Sequence, residues 1–262
     1  MIREETVFGP IFSRRLGTSL GINLLPQKGK ICNFDCIYCE CGWNKDGRGD
    51  TVLPTAEKVR TDLRNMLEKL RQQGTKVDSI TFSGDGEPTL NPEFPQIIDD
   101  TLSLRDQLAP SAKVSVLSNA TRVHIPEIFA ALTKVDNPIM KIDAPTNELI
   151  ARINNPAPGY DIARVVEALK RFKGNFVLQT CMLRSKEYNF DSSRPEVLEG
   201  WMQIVRELKP RQVMVYTIDR PTPARGLEMF TPEEMTRLVQ PLIDEGFNMQ
   251  IKGAVVPPQQ IK

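Results

Sequence analysis

Residues 20–41 read LGINLLPQKGKICNFDCIYCEC. The apolar run Leu20–Leu25 has the length and composition of a first buried strand. Behind it Cys32, Cys36 and Cys39 stand at C-x3-C-x2-C, and Cys41 follows two positions later. Thiolates this close in sequence can turn toward one soft metal centre, for which iron–sulfur clusters and zinc are the natural candidates. A structural zinc site usually draws on two separated cysteine pairs, and a ferredoxin cluster takes four cysteines. Here the tight set reads as three, and a [4Fe–4S] cube on three thiolates leaves one iron open, as catalytic metals are. A four-cysteine zinc site using Cys41 and an ordinary electron-transfer cluster are the plainer alternatives.

Outward from this stretch the chain alternates. Pro54 opens a helix whose Val59, Leu63, Met66, Leu67 and Leu70 fall on one face, and Gly74 ends it. The same unit returns five times. Strands are expected at Val77–Phe82, Lys113–Leu117, Pro138–Ile142, Phe176–Gln179 and Gln212–Ile218. Their helices are expected at Asn91–Gln107, from about Ile125 (with Phe129 and Leu132 inward), Asp161–Phe172, Pro195–Leu208 and Pro232–Glu245, before a short strand at Met249–Lys252. Repeated strand–helix alternation calls for parallel strands joined by crossovers. The expected class is therefore α/β, a partial (β/α)6 barrel with parallel strands; an open doubly wound sheet is the alternative. No linker interrupts residues 1–262, so one domain is expected, with 1–18 as a lead-in and 253–262 as a tail.

In parallel α/β folds chemistry collects at the carboxyl ends of the strands, and each unusual cluster falls there. The cysteine loop follows the first strand, and Ser83-Gly84-Asp85-Gly86-Glu87-Pro88 the second. Ser118-Asn119 follows the third and Asp143 the fourth, Cys181 ends the fifth, and Asp219-Arg220-Pro221 follows the sixth. Taken singly, each has a structural reading. The glycines of 84–88 suit a tight turn, and Asn119 suits an Asx turn. A lone Cys181 suits a small buried hydrophobe. Lys141 and Asp143 flank Ile142 and share a face, as a core ion pair would. Cys181 and Cys41 are also the candidates for a catalytic thiol facing the reaction. Arg14, Arg15, Arg184, Arg220 and Arg225 suit phosphate or carboxylate recognition where they reach the mouth.

Composition excludes several classes. The 34 basic against 33 acidic residues give no overall pull toward nucleic acid or a membrane surface. No apolar run approaches the ~20 residues of a membrane span, and the polar start is no signal peptide, so a cytoplasmic protein is expected. Five cysteines, mostly clustered, point to metal chemistry in a reducing compartment rather than to disulfides. A single histidine, His124, leaves little room for a Ser-His-Asp hydrolase.

The cysteine spacing, with Tyr38 before the last cysteine, resembles the signature of the radical S-adenosylmethionine (SAM) superfamily. The resemblance implies that Cys32, Cys36 and Cys39 hold a [4Fe–4S] cluster whose free iron binds S-adenosyl-L-methionine. A one-electron reductant of the flavodoxin or ferredoxin type would then drive cleavage to a 5′-deoxyadenosyl radical that abstracts hydrogen from a substrate. Gly84, Asp85, Gly86, Glu87 and Pro88 resemble the family's Gly-Gly-Glu-Pro motif, here with Asp85 between the glycines, which implies a cradle for the methionine amino group. By the same resemblance Tyr38 lies near the adenine, and Ser118 and Asn119 near the ribose or carboxylate. Lys141, Asp143 and Gln179 are further candidates for cofactor contacts.

More narrowly, the run from Phe8 to Cys39 and the segment Phe82–Leu90 resemble the wyosine (tRNA imidazoguanosine) synthetase-like group. The substrate does not follow, because residues 1–31 contain no cysteine for that group's second cluster. A glycyl-radical activase acting on a partner protein, a tRNA-modifying enzyme acting on RNA, and a non-enzymatic electron carrier are the alternatives.

Overall fold

The strands take their order from where the apolar side chains fall. The computed structural model describes residues 5–13, 17–47 and 49–253. Within these the chain forms two compact units. The first takes the described residues of Met1–Asn33, Asn44–Ser118 and Arg122–Ile139; the second takes Phe34–Trp43, Asn119–Thr121 and those of Met140–Lys262. Arg14, Arg15 and residues 254–262 of the expected tail lie outside the described residues.

In the first unit β1 (Val7–Ser13) runs antiparallel to β2 (Gly17–Ile22). Next to β2 lie β3 (Ser79–Phe82) and then β4 (Lys113–Ser118), all three parallel. Helices α1 (Ala56–Gln72) and α2 (Phe94–Leu108) join the parallel strands, and α3 (Pro126–Lys134) follows β4. Alternate residues explain the layering. Leu20, Ile22, Ile80, Phe82, Val114 and Val116 are wholly buried. The intervening positions carry a hydroxyl ladder instead, with Ser19 to Thr81 at 2.8 Å, Ser79 to Thr81 at 2.9 Å and Ser79 to Ser115 at 3.3 Å. Both faces are buried and the polar one is satisfied from within, as a buried hydroxyl requires.

β5 (Asn137–Lys141) carries the chain from the first unit into the second. There α4 (Asn147–Asn154) and α5 (Ile162–Lys170) precede β6 (Val177–Ser185). β7 (Phe190–Asp191), α6 (Pro195–Leu208), β8 (Gln212–Thr217), β9 (Glu228–Met229), α7 (Pro232–Asp244) and β10 (Met249–Lys252) complete the chain. β6, β8 and β10 are parallel neighbours, while β7 and β9 pair antiparallel with the far half of β6. The fold is the expected α/β class with mostly parallel strands, and α6 and β10 have the expected bounds.

Several expectations are corrected. The first strand ends at Ile22 rather than Leu25, because Asn23 Oδ1 accepts the Leu25 N–H at 3.1 Å and turns the backbone. The helix expected from Asn91 starts at Phe94. Asn91 instead accepts the Glu93 N–H at 2.9 Å and donates to Leu24 O and Pro54 O. Phe129 is half-buried, and Ile128, Ala131 and Leu132 form the inward face of α3. Cys181 does not end its strand: β6 continues to Ser185 because β7 and β9 supply partners along the extension. β1, α4, β7 and β9 had no sequence counterpart.

Candidate functional site

In the first unit the loop after β3 is built around close backbone approach. Ile31 donates its N–H to Asp85 O (3.2 Å) and accepts from the Glu87 N–H (3.1 Å), a parallel bridge opposite Gly86. Gly86 has φ +140°, and a Cβ there would lie 1.9 Å from Ile31 O. Only glycine fits. Asn23 holds the other side, accepting the Asp85 N–H at 3.1 Å and donating to the Asp85 carboxylate at 3.3 Å. A Cβ on Gly84 would lie 2.0 Å from that same Asn23 oxygen. The loop is thus tied to the residue before Cys32, whose carbonyl accepts from Asn44 Nδ2 at 3.0 Å.

Glu87, 2% exposed, accepts from the Thr89 N–H (3.2 Å), the Thr89 hydroxyl (2.6 Å) and the Ser118 hydroxyl (2.8 Å). Its carboxylate therefore braces its own loop and the end of β4. Asp85 is fully buried against Asn23 in the same manner. Gly84, Asp85, Gly86, Glu87 and Ser118 thus form one connected group.

In the second unit the cysteine loop is fastened to the end of α4. Asp35 N–H donates to Asn154 O (2.9 Å) and Ile37 N–H to Ile153 O (3.0 Å), so both neighbours of Cys36 are held. These carbonyls belong to the last turn of a helix, where no intrahelical donor reaches them. Cys39 N–H closes the turn onto Cys36 O at 3.1 Å, and Ala224 N–H adds a contact to Ile37 O from the loop between β8 and β9. Arg220 reaches Glu40 at 2.7 Å in that same loop pairing.

Asp143 is the hub. Its Oδ2 accepts from the Tyr38 hydroxyl and from Asn154 Nδ2 (2.7 Å), its Oδ1 from the Cys181 N–H (2.8 Å) and Lys141 Nζ (3.4 Å). Four donors hold this one fully buried carboxylate in place. Lys141 also donates to the Tyr216 hydroxyl at 2.8 Å and stands 5.0 Å and 5.2 Å from the Tyr38 and Tyr216 ring centroids. Burial works against its charge, but Asp143 and then Tyr216 more than offset this, and the ammonium is held well above the usual lysine range. Burial pushes the Cys36 thiol up to about 11, against the opposing pull of Lys141 and the Asn154 hydrogen bond. Burial, with Asp143, likewise pushes Cys181 and Tyr38 well up.

The expected residues therefore collect in two groups. The first unit holds the Gly84–Glu87 loop, Ser118 and Cys32; the second holds Cys36, Tyr38, Cys39, Cys41, Asn119, Lys141, Asp143, Gln179 and Cys181. Asn119 makes an Asx turn, its Oδ1 accepting from Thr121 N–H at 3.1 Å and hydroxyl at 2.7 Å. Arg184 is tied to α7 through Glu234 at 2.8 Å and lies over the Phe230 ring. His124 is exposed. Among the described residues no group of three or more histidine, cysteine, aspartate or glutamate side chains stands ready to hold a metal ion. Sequence reading missed Asn23, Asn154 and Tyr216. A lone Asn inside an apolar strand run was the available signal for Asn23, and Thr146 three residues before Leu149 the signal for α4.

Known proteins share the sequence pattern and the fold. The family model described as the Radical SAM superfamily matches residues 27–184. The chain belongs to the radical SAM superfamily. It is 31% identical over 221 residues to a UPF0026 protein of Helicobacter pylori, covering 82% of this chain and 67% of that one. It is 29% identical over 240 residues to a protein named GTPase Obg from Brachyspira hyodysenteriae, covering 90% of this chain but 33% of that protein, about a third of its length. A radical SAM methyltransferase from Sphaerobacter thermophilus superposes with a TM-score of 0.68 at 17% identity, over 94% of this chain and 69% of that one. That likeness shows the fold.

Membership makes the chain a radical SAM enzyme, with the superfamily's [4Fe–4S] cluster and SAM as cofactors and an external reductant as its electron source. The donor set fits: none of the five cysteines is in a disulfide, and the thiols of the motif are soft ligands of the kind such a cluster takes. Burial holds Cys36 as a thiol, so metal binding there must displace a proton. Among the described residues no helix is long and apolar enough to cross a membrane.

Proposed function

We propose that the chain is a single radical SAM domain in which Cys32, Cys36 and Cys39 hold the cluster, and that it initiates hydrogen abstraction from a substrate. The observation that carries this is the C-x3-C-x2-C set inside the matched region, with the residue before Cys32 bridged to the Gly84–Glu87 loop. The bound cluster and cofactor supply a 5′-deoxyadenosyl radical after one-electron reduction. The chain's own part is to hold and orient. The Gly84–Gly86 backbone, kept open by glycine, cradles the methionine end of the cofactor. Glu87 acts through the loop it braces. Lys141, a firm ammonium, offers charge for a carboxylate. Asp143 sets Tyr38 and Lys141 in place. Asn119, Ser118 and Gln179 are the further candidates for cofactor contacts, and Cys41 and Cys181 the candidate thiols for substrate chemistry.

The narrower likeness to wyosine synthetase-like proteins is supported by the Phe82–Leu90 segment, while the near-neutral net charge of +1 favours a small molecule or a partner protein over RNA. Five cysteines outside any disulfide fit a reducing, cytoplasmic setting with a flavodoxin- or ferredoxin-type donor.

The test is anaerobic reconstitution with iron and sulfide, then dithionite and SAM, following 5′-deoxyadenosine. Production that disappears in Cys36→Ala supports the reading. A reducible cluster that binds no SAM and yields no 5′-deoxyadenosine would leave an electron carrier.

A further inference from the structure

Asn154 ends α4, is 1% exposed, and places Nδ2 3.3 Å from Cys36 Sγ. The approach is built in rather than incidental. Asp35 and Ile37, on either side of Cys36, donate their backbone N–H groups to Asn154 O and Ile153 O. The backbone that carries the sulfur cannot leave the end of α4 without breaking the dock between loop and helix. The amide is oriented too: Nδ2 lies 2.7 Å from Asp143 Oδ2 and 2.9 Å from Tyr38 Oη. Two hydrogens thus face three acceptors. The carboxylate takes one. Tyr38 gives its own proton to Asp143, so its oxygen competes with Cys36 for the other.

We propose that Asn154 is a positioning residue that donates a hydrogen bond to the ligand sulfur of Cys36 and thereby raises the reduction potential of the cluster. The inference rests on Cys36 being a cluster ligand. Its physical basis is that reduction adds negative charge shared by the sulfurs, and an N–H aimed at one of them stabilises the reduced form. Tyr38 acquires a second part here. As a competing acceptor it weakens the same bond, so its removal acts in the opposite direction.

The experiment is a potentiometric titration, followed by electron paramagnetic resonance (EPR), of the anaerobically reconstituted full chain without SAM. Wild type, Asn154→Leu and Tyr38→Phe are compared. Leu keeps the amide's size without its donor. About four irons per chain are expected in all three. The Asn154→Leu one-electron reduction equilibrium should fall about tenfold, or ~59 mV toward more negative potential. Tyr38→Phe should leave the potential unchanged or raise it. In wild-type protein carrying 15N only in asparagine side-chain amides, pulsed EPR of the reduced cluster should show nitrogen coupling, which needs no variant to fold. An intact Asn154→Leu cluster at the wild-type potential, or a Tyr38→Phe shift equal in sign and size, overturns the inference, as does absent 15N coupling. A cluster that persists in Cys36→Ala, or never forms in wild type, overturns the reading beneath it as well.

Discussion

Gly86 shows how one residue governs the approach to the motif. Its φ is +140°, and the 1.9 Å that would separate a Cβ from Ile31 O leaves no room for a side chain. Gly86→Ala should force Ile31 away and break the bridge that orients Cys32. Overpacking of this kind costs ~1–3 kcal/mol, with strain of similar size added. The urea midpoint should fall, and iron bound after reconstitution should fall with it. Unchanged iron content in a folded Gly86→Ala protein would show that the bridge does not position Cys32. The neighbouring carboxylates, Asp85 and Glu87, were candidates for cofactor contacts on the motif alone. Their oxygens also accept from Asn23, Thr89 and Ser118, so both carboxylates hold the backbone of the loop in shape.

At the scale of elements, α1 and α4 make a useful contrast. α1 announces itself: Thr55 caps it by accepting the Lys58 N–H at 3.3 Å, and Val59, Leu63, Leu67 and Leu70 are at most 4% exposed. Thr55→Ala should cost about 1 kcal/mol through loss of the cap. Leu63→Ala, at a wholly buried position, should cost ~2–5 kcal/mol through lost burial and a cavity. Urea unfolding checks both, and a larger loss at Thr55 than at Leu63 would contradict the ranking. α4 has only Asn147–Asn154, with Ile150 and Ile153 as its apolar residues inward. Eight residues would be a marginal helix alone in water. It persists because Thr146 caps one end and the cysteine loop consumes the carbonyls of the other.

Over the whole chain the displaced titrations bracket the stability of the metal-free protein. Asp136 is held below the ordinary carboxylate range: burial would raise it, but the Val114 N–H and then Lys113 and Arg105 more than compensate. Glu234 is lowered by the Thr231 N–H and then Arg184. Groups depressed on folding stabilise above their unfolded values, near pH 4, and that contribution is lost as pH falls through the folded ones. Cys36, pushed up to about 11, works the other way. Its contribution is complete below the unfolded thiol value near 8.5 and fades as pH rises toward the folded one. Lys141, raised by Asp143, acts in the same sense above about pH 10. The urea midpoint should therefore be flat from about pH 5 to 8 and fall on either side. A midpoint constant from pH 8 to 10.5 would mean that Cys36 is not buried as a thiol.

By itself the sequence determined the α/β class, the Val59, Leu63, Leu67 and Leu70 face of α1, the bounds of α6 and β10, and the cysteine loop after the first strand. These are written in local signals, the 2-residue and 3.6-residue periods and the turn residues between them. Only the tertiary structure decided that Asp143 would gather Tyr38, Asn154, Lys141 and Cys181, and that Asn154 would meet a cysteine 118 positions away. It also decided that β6 would run on to Ser185, since β7 and β9 have too few residues to declare themselves. The physical reason is the same in each case. A buried polar group must find its partner wherever the packed chain brings one, and no local pattern records which one that will be.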